Sequence, residues 1–206
     1  MLAGTIRERK IKLHNNKMTS SGLPTDLQND IALMERIASR KNDDFHQLYL
    51  DYGQRMYAYA LRITGFPTLA EDVVQDSLLT VWNSARSYEG KSRLSAWLLG
   101  IIHHTAMKAL RHSTIPIDND MQSRLVEKSP SPEEQTQSNE RSEMIQNYIQ
   151  KLSPEHRAVL DLVFYQGMTM SEAADICGCP VGTIKSRLSY ARAYLKSMLS
   201  GVEDVL

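Results

Sequence analysis

Cys177-Gly178-Cys179-Pro180-Val181-Gly182-Thr183-Ile184-Lys185-Ser186-Arg187-Leu188 joins two helical runs of unequal length. The first, Ser171 to Cys177, stops at a glycine suited to the left-handed backbone of a helix C-terminus. After a tight turn, Val181, Ile184, Leu188, Ala191, Leu195 and Met198 recur at helical spacing, which predicts a longer helix with one core-facing side. The chain carries no acidic residue between Asp175 and Glu203, and Lys185, Arg187, Arg192 and Lys196 fall in that window. The pair reads as a helix-turn-helix whose second helix suits contact with phosphate. It also fits an ordinary αα-hairpin with a solvated basic face.

The composition narrows the class. Only 7% of the 206 residues are aromatic, and no alternating strand pattern is visible, so the fold class expected is all-α. No run approaches the roughly 18 consecutive apolar residues of a membrane span. Arg7, Arg9, Lys10, Lys12 and Lys17 are not followed by an apolar segment, so the start is no secretory signal and the expected location is cytoplasmic. The formal net charge is zero, yet acid is concentrated between Asp118 and Glu140 and base in the two ends and the final helix. Segregated signs suit a protein that meets nucleic acid as part of a larger assembly. Cys177 and Cys179 read as small apolar turn residues rather than a redox or metal pair. His103 and His104 are neighbours on a helix, so they point about 100° apart and do not chelate one ion together. No nucleophile stands with a base and no cluster supplies four metal ligands. The expectation is therefore no enzyme, no catalytic residue, no metal and no cofactor.

In chain order, residues 1–25 are polar, basic and aperiodic, and are expected to be disordered. Residues 26–112 form a first helical domain. Its first helix starts at Asp26 with Ile31, Met34, Ile37 and Ala38 on one side. The second places Phe45, Leu48, Tyr49, Tyr52, Met56, Tyr59, Ala60 and Ile63 on one buried face and ends at Gly65 and Pro67. Thr68 with Glu71 gives a capping-box signature for a third, through Val73, Val74, Ser77, Leu78, Val81, Trp82 and Ala85. Its other face carries Glu71, Asp72, Gln75 and Asp76, by default a solvated face. A polar loop, Ser87 to Arg93, leads into a fourth helix through Leu94, Trp97, Leu98, Ile101, Ile102, Thr105 and Leu110, ending on Lys108, Arg111 and His112. Base charge beside Tyr88 is what single-strand binding uses, and Tyr88 also reads as a cover for the helix junction. Residues 113–137, rich in proline and acid, form a flexible linker. Residues 138–200 form a second helical domain, burying Met144, Ile145, Tyr148, Ile149 and Leu152. Ser153-Pro154-Glu155 then starts a helix through Val159, Leu162 and Val163, ahead of the helix-turn-helix.

These motifs together resemble bacterial RNA polymerase sigma factors of the sigma-70 family, extracytoplasmic-function (ECF) group. Ala70-Glu71-Asp72-Val73-Val74-Gln75-Asp76 with Trp82 is similar to core-binding region 2.2, and Ser92 to Trp97-Leu98 to promoter-melting region 2.3. Gly182-Thr183-Ile184-Lys185-Ser186-Arg187-Leu188 with Ala191-Arg192 is similar to region 4.2. The resemblance implies a subunit that binds core RNA polymerase and directs it to promoters of a stress- or signal-responsive regulon. Core binding, on the β′ coiled coil, falls to Asp72, Gln75, Asp76 and Trp82. Minus-10 contacts fall to Tyr88, Lys91, Ser92, Arg93, Trp97, Lys108 and Arg111. Minus-35 contacts fall to Thr183, Lys185, Ser186, Arg187, Ser189 and Tyr190, with the second domain on the β flap. A cognate anti-sigma factor is a further partner of this kind of protein. The chain departs from the family at Gly100 and His103-His104, where a basic residue and an Arg-Asn pair are usual, and at Tyr190, where a cation is usual. The alternative is a helix-turn-helix regulator that binds DNA without polymerase.

Overall fold

The structure, a computed structural model, describes residues 25–113 and 144–203. The extension expected over residues 1–25 and the linker expected over 113–137 lie outside it, apart from Thr25 and Ser113. Among the described residues the regular elements are helical. Helix α1 is Thr25–Ala38, α2 Asn42–Thr64, α3 Pro67–Ser84 and α4 Leu94–His112. A short helix is described over 144–150 (α5). Then come α6 Pro154–Leu160, a π-helical turn Asp161–Tyr165, α7 Met170–Cys177 and α8 Val181–Glu203.

Local chemistry sets several boundaries. Gly65, at φ 79°, closes α2 with its N–H on the Leu61 carbonyl at 2.8 Å, and Pro67 opens α3 at the first helical position. The expected Thr68–Glu71 capping box does not form. With Pro67 starting the helix, Phe66 takes the N-cap position without a side-chain bond, and Thr68 already lies inside the first turn. A capping box forms instead at α7, where Glu172 N–H donates to Thr169 Oγ1 at 3.2 Å and Thr169 N–H to Glu172 Oε2 at 2.8 Å.

Packing follows the apolar faces. Met34 and Ile37 of α1, Leu48 of α2, Val81 of α3 and Leu94 and Leu98 of α4 make one core cluster, which Tyr88 closes. Met56, Tyr59, Ala60 and Ile63 of α2, Val73 and Val74 of α3 and Leu99 and Ile102 of α4 belong to another. That second cluster continues into Leu152, Val159, Leu162, Ala173, Ile176, Ile184 and Leu188, so the two helical sets are packed against each other. Helix α2 meets α6, and α4 meets α7. This explains a difference from the sequence expectation. Helix α4 buries Leu99 and His103 as well as Leu94, Leu98 and Ile102, because it is covered from both sides. Truncating a fully buried side chain such as Ile102 to alanine would cost about 2 to 5 kcal/mol.

Two positions assigned to buried faces are exposed. Tyr49 is 47% exposed, its ring lying over Gly53, where an added Cβ would come within 2.8 Å of it. Val181, in the first turn of α8, is 38% exposed.

Candidate nucleic-acid interface

The helix-turn-helix is built by a cap at each end of α7. Thr169 and Glu172 secure its start, and Gly178, at φ 61°, ends it, with Cys179 N–H reaching the Ala174 carbonyl at 3.1 Å. Ile184, Leu188 and Ala191 anchor α8 in the core. Lys185, Ser186, Ser189 and Tyr190 are exposed on its outer side, while Thr183 and Arg187 are half-buried. Ser186 donates to the Thr183 carbonyl at 3.0 Å. Tyr190 does not stand alone: its ring packs on His156 of α6 with centroids 4.6 Å apart, and His156 Nδ1 meets Ser153 Oγ at 2.7 Å. Burial first, and then the charge of Arg187, lower the pKa of His156, so the ring meets Tyr190 as a neutral imidazole at neutral pH. The Ser-x-x-His spacing at the start of α6 is the only trace of this contact in the sequence. Cys177 is half-buried, and its thiol is pushed up to about 12 by burial and then by Cys179, which disfavours the reactive thiolate.

The loop before α4 is folded tightly on itself. Tyr88 is 7% exposed; its hydroxyl donates to the Ser92 carbonyl at 2.8 Å, and its ring lies 5.5 Å from that of Trp97. Burial, then Asp30 and Tyr52, push its pKa up to about 12. Of the two roles open to Tyr88, the geometry supports the cover for the helix junction, because a ring closed into the core has no free face for a base. Lys91, Ser92 and Arg93 are exposed, Lys91 paired with Glu89 and Arg93 with Glu172 of α7 at 2.7 Å. Trp97 is half-buried and lines a cleft between α4 and α7 with Ser92, Gly100, His104, Asp175 and Ile176. Lys108 and Arg111 are exposed at the far end of α4. At 1.5 Å per residue, Arg93 and Lys108 stand about 22 Å apart, so the seven residues assigned to minus-10 contacts form two groups and not one site.

On α3, Glu71, Asp72, Gln75 and Asp76 are all exposed in one row. Trp82 is partly covered, with Phe45 edge-on at 5.0 Å and the Arg40 guanidinium 4.8 Å above its ring. Beside the acidic row runs a cleft lined by Tyr49, Leu50, Gly53, Tyr57, Gln75 and Leu78, with Leu79 also exposed. This apolar component leaves no distinct trace in the sequence, because Tyr49 matches a core period and Leu50 and Leu79 are isolated on polar faces.

The two helical sets are joined by polar contacts as well as by the core. Arg62 of α2 pairs with Asp161, whose other oxygen accepts from Gln166 Nε2 at 2.8 Å. Arg55 donates to Gln166 Oε1 at 2.5 Å and to its carbonyl at 3.2 Å. Tyr59 and His103 Nδ1 meet at 2.8 Å in the interior. No helix among the described residues is long and apolar enough to cross a membrane.

Comparison with known proteins gives this arrangement a family. The model for Sigma-70 region 2 matches residues 48–114, and that for Sigma-70 region 4 matches residues 142–195. The ECF RNA polymerase sigma factor SigL of Mycobacterium tuberculosis is 33% identical over 155 residues, covering 74% of this chain and 86% of SigL. The ECF RNA polymerase sigma factor EcfG of Rhodopseudomonas palustris is 34% identical over 149 residues, covering 71% of this chain and 81% of EcfG. Among solved structures, the sigma factor RpoE in complex with the anti-sigma factor NepR from Bartonella quintana aligns with a TM-score of 0.59 at 29% identity, over 76% of this chain and 97% of RpoE. CnrH in complex with the cytosolic domain of CnrY shares the fold, with a TM-score of 0.61 at 22% identity, over 84% of this chain and 97% of CnrH. With both regions matched in order and relatives of this identity spanning most of its length, the chain belongs to the sigma-70 family, in its ECF group of RNA polymerase sigma factors.

Proposed function

We propose that this chain binds core RNA polymerase and directs it to particular promoters, contributing recognition and no catalytic chemistry of its own. The observation that carries the reading is the outer side of α8. It presents Lys185, Ser186, Ser189 and Tyr190 to solvent from a helix with no carboxylate before Glu203, anchored by a capped helix-turn-helix within the region 4 match. Such a surface suits the major groove at the minus-35 element. The row Asp72, Gln75 and Asp76, with the apolar cleft beside it, supports docking on a basic helical partner, the polymerase coiled coil. Lys91, Ser92 and Arg93 at the start of α4 suit the opened strand at minus-10, and Lys108 and Arg111 suit phosphates further along. RpoE is found with an anti-sigma factor, which supports a partner of that kind here.

Run-off transcription with purified core polymerase and a library of genomic promoters tests the reading. Specific transcripts that require both core and this chain are the expected result. Tight, specific promoter binding by the chain alone, with no effect on transcription by core, would instead identify a regulator independent of polymerase.

A further inference from the structure

Helix α4 begins without a cap of its own. Its N-cap residue, Arg93, makes no capping side-chain bond, so the first helical N–H groups need partners from elsewhere. One partner arrives from 64 residues upstream: Leu94 N–H donates to Asp30 Oδ2 of α1 at 3.1 Å. A carboxylate at that place also complements the positive end of the helix.

The loop before α4 is pressed onto the same helix. Gly90 holds φ +68°, a left-handed backbone that favours glycine, and a Cβ there would lie 2.5 Å from Ile31 Cδ1, so the end of that side chain would have to shift. Tyr88 seals the inner side, sharing a core cluster with Met34 and Ile37 of α1 and bonding the Ser92 carbonyl. Lys91, Ser92 and Arg93 are left facing outward. Helix α1 lies ahead of the residues matched by region 2, which begin at 48.

We infer that Asp30 is a positioning residue for minus-10 recognition, holding the first turn of α4 so that Ser92 and Arg93 meet the opened strand in one geometry. This rests on the reading of the loop given above. It acts through the backbone of Leu94 and touches no nucleic acid.

The test uses the full chain with core polymerase, on a promoter selected from a randomised library by the wild-type holoenzyme. Four variants are compared: Asp30→Ala, Asp30→Asn, Gly90→Ala and the loop variant Ser92→Ala with Arg93→Ala. Opening is followed by 2-aminopurine fluorescence at minus-10, and preference by competition among minus-10 sequences. Asp30→Ala should lower opening and preference about tenfold, the scale of a lost cap, with core affinity close to wild type and the thermal midpoint only a few degrees lower. Asp30→Asn, which keeps an acceptor, should recover most of the loss. Gly90→Ala, which strains the left-handed turn of the loop and crowds Ile31 of α1, should show the same selective loss. Wild-type opening and preference in Asp30→Ala, beside a clear loss in the loop variant, would overturn the role of Asp30 alone. No loss in the loop variant would overturn the reading of the loop and this inference with it. Loss of core binding together with opening in both Asp30→Ala and Gly90→Ala would reduce Asp30 to a general structural contact.

Discussion

Arg62 on α2 and Asp161 in the π-helical turn form an ion pair that crosses between the two helical sets, and the side chain of Asp161 is 2% exposed. Gln166 satisfies the second carboxylate oxygen at 2.8 Å. Arg62 is about one third exposed, so solvent weakens the attraction from its side. Removing the arginine leaves a buried carboxylate with only part of its partners. Arg62→Ala should therefore destabilise the chain by about 1 to 3 kcal/mol. A denaturation cycle with Asp161→Asn measures the coupling, and strictly additive effects would show that the pair contributes no interaction.

His103 makes stability depend on pH. Burial first, then His104 and Arg187, lower its pKa from 6.5 to about 4, with Glu155 opposing. The unfolded chain takes up this proton near 6.5 and the folded chain only near 4, so the unfolded state binds more protons in between. The contribution is fully present above about pH 6.5 and is lost as pH falls toward 4. The thermal midpoint should fall through that window, and His103→Gln should start lower at neutral pH but decline less steeply. An equal decline in the variant would assign the effect to other groups.

Asp76→Lys places a cation in the exposed row of α3 and leaves Val73, Ser77 and Val81 in the core. The variant should keep its circular dichroism spectrum and lose core polymerase in a pull-down. Unchanged binding would move the contact to the cleft of Tyr49, Leu50 and Leu78.

On α8, Ser186 and Tyr190 are exposed, whereas Arg187 is half-buried and acts electrostatically on His156 and His103. Ser186→Ala and Tyr190→Ala should change the preferred minus-35 sequence, each misread pair being worth about 1 to 3 kcal/mol. Arg187→Ala should lower affinity across sequences and reduce the salt slope by about one. Transcription from a randomised minus-35 library decides. A changed preference in Arg187→Ala alone would mean that α8 enters the groove in a different rotation.

Arg93→Ala and Glu172→Ala should differ although the two residues are partners. Losing Glu172 removes the capping box of α7 and should cost about 0.5 to 2 kcal/mol. Losing Arg93 removes a largely exposed pair and should stay within about 1 kcal/mol. Equal losses in denaturation would show that the cap adds nothing.

Helix faces were the most legible part of the sequence, because burial on one side leaves a period: Met56, Tyr59 and Ile63 in α2, and Ile184, Leu188 and Ala191 in α8, all occupy core positions. Contacts between the helical sets left no such trace. His103 reads from the sequence only as a non-ligand, and the charges that act on it, Glu155 of α6 and Arg187 of α8, arrive from the far end of the chain. Arg62 and Asp161 are ordinary charged residues until the fold brings them together. Thr68 and Glu71 matched a capping pattern that Pro67 overrode, while the same pattern at Thr169 and Glu172 formed. Asp30 carried no signal, since its bond to Leu94 spans 64 residues. Charge along the sequence marked the basic window of α8 and the acidic face of α3, but the roles of these exposed residues toward DNA and polymerase came through family likeness, because solvated polar positions carry no period of their own.

Glu172 divides its two oxygens between two tasks. Oε2 serves Thr169 in the cap of α7, and Oε1 holds Arg93 of the other helical set. Burial works against its charge, but the Thr169 N–H and Arg93 outweigh it and keep the group ionised. Under the proposed function, Arg93 leaves this oxygen for a nucleic-acid phosphate, trading one oxyanion for another of similar strength. Glu172 keeps its Oε2 bonds throughout. Arg93 can therefore change partners while α7 keeps its cap and its seat on α4, which rests on the shared apolar core and not on this ion pair.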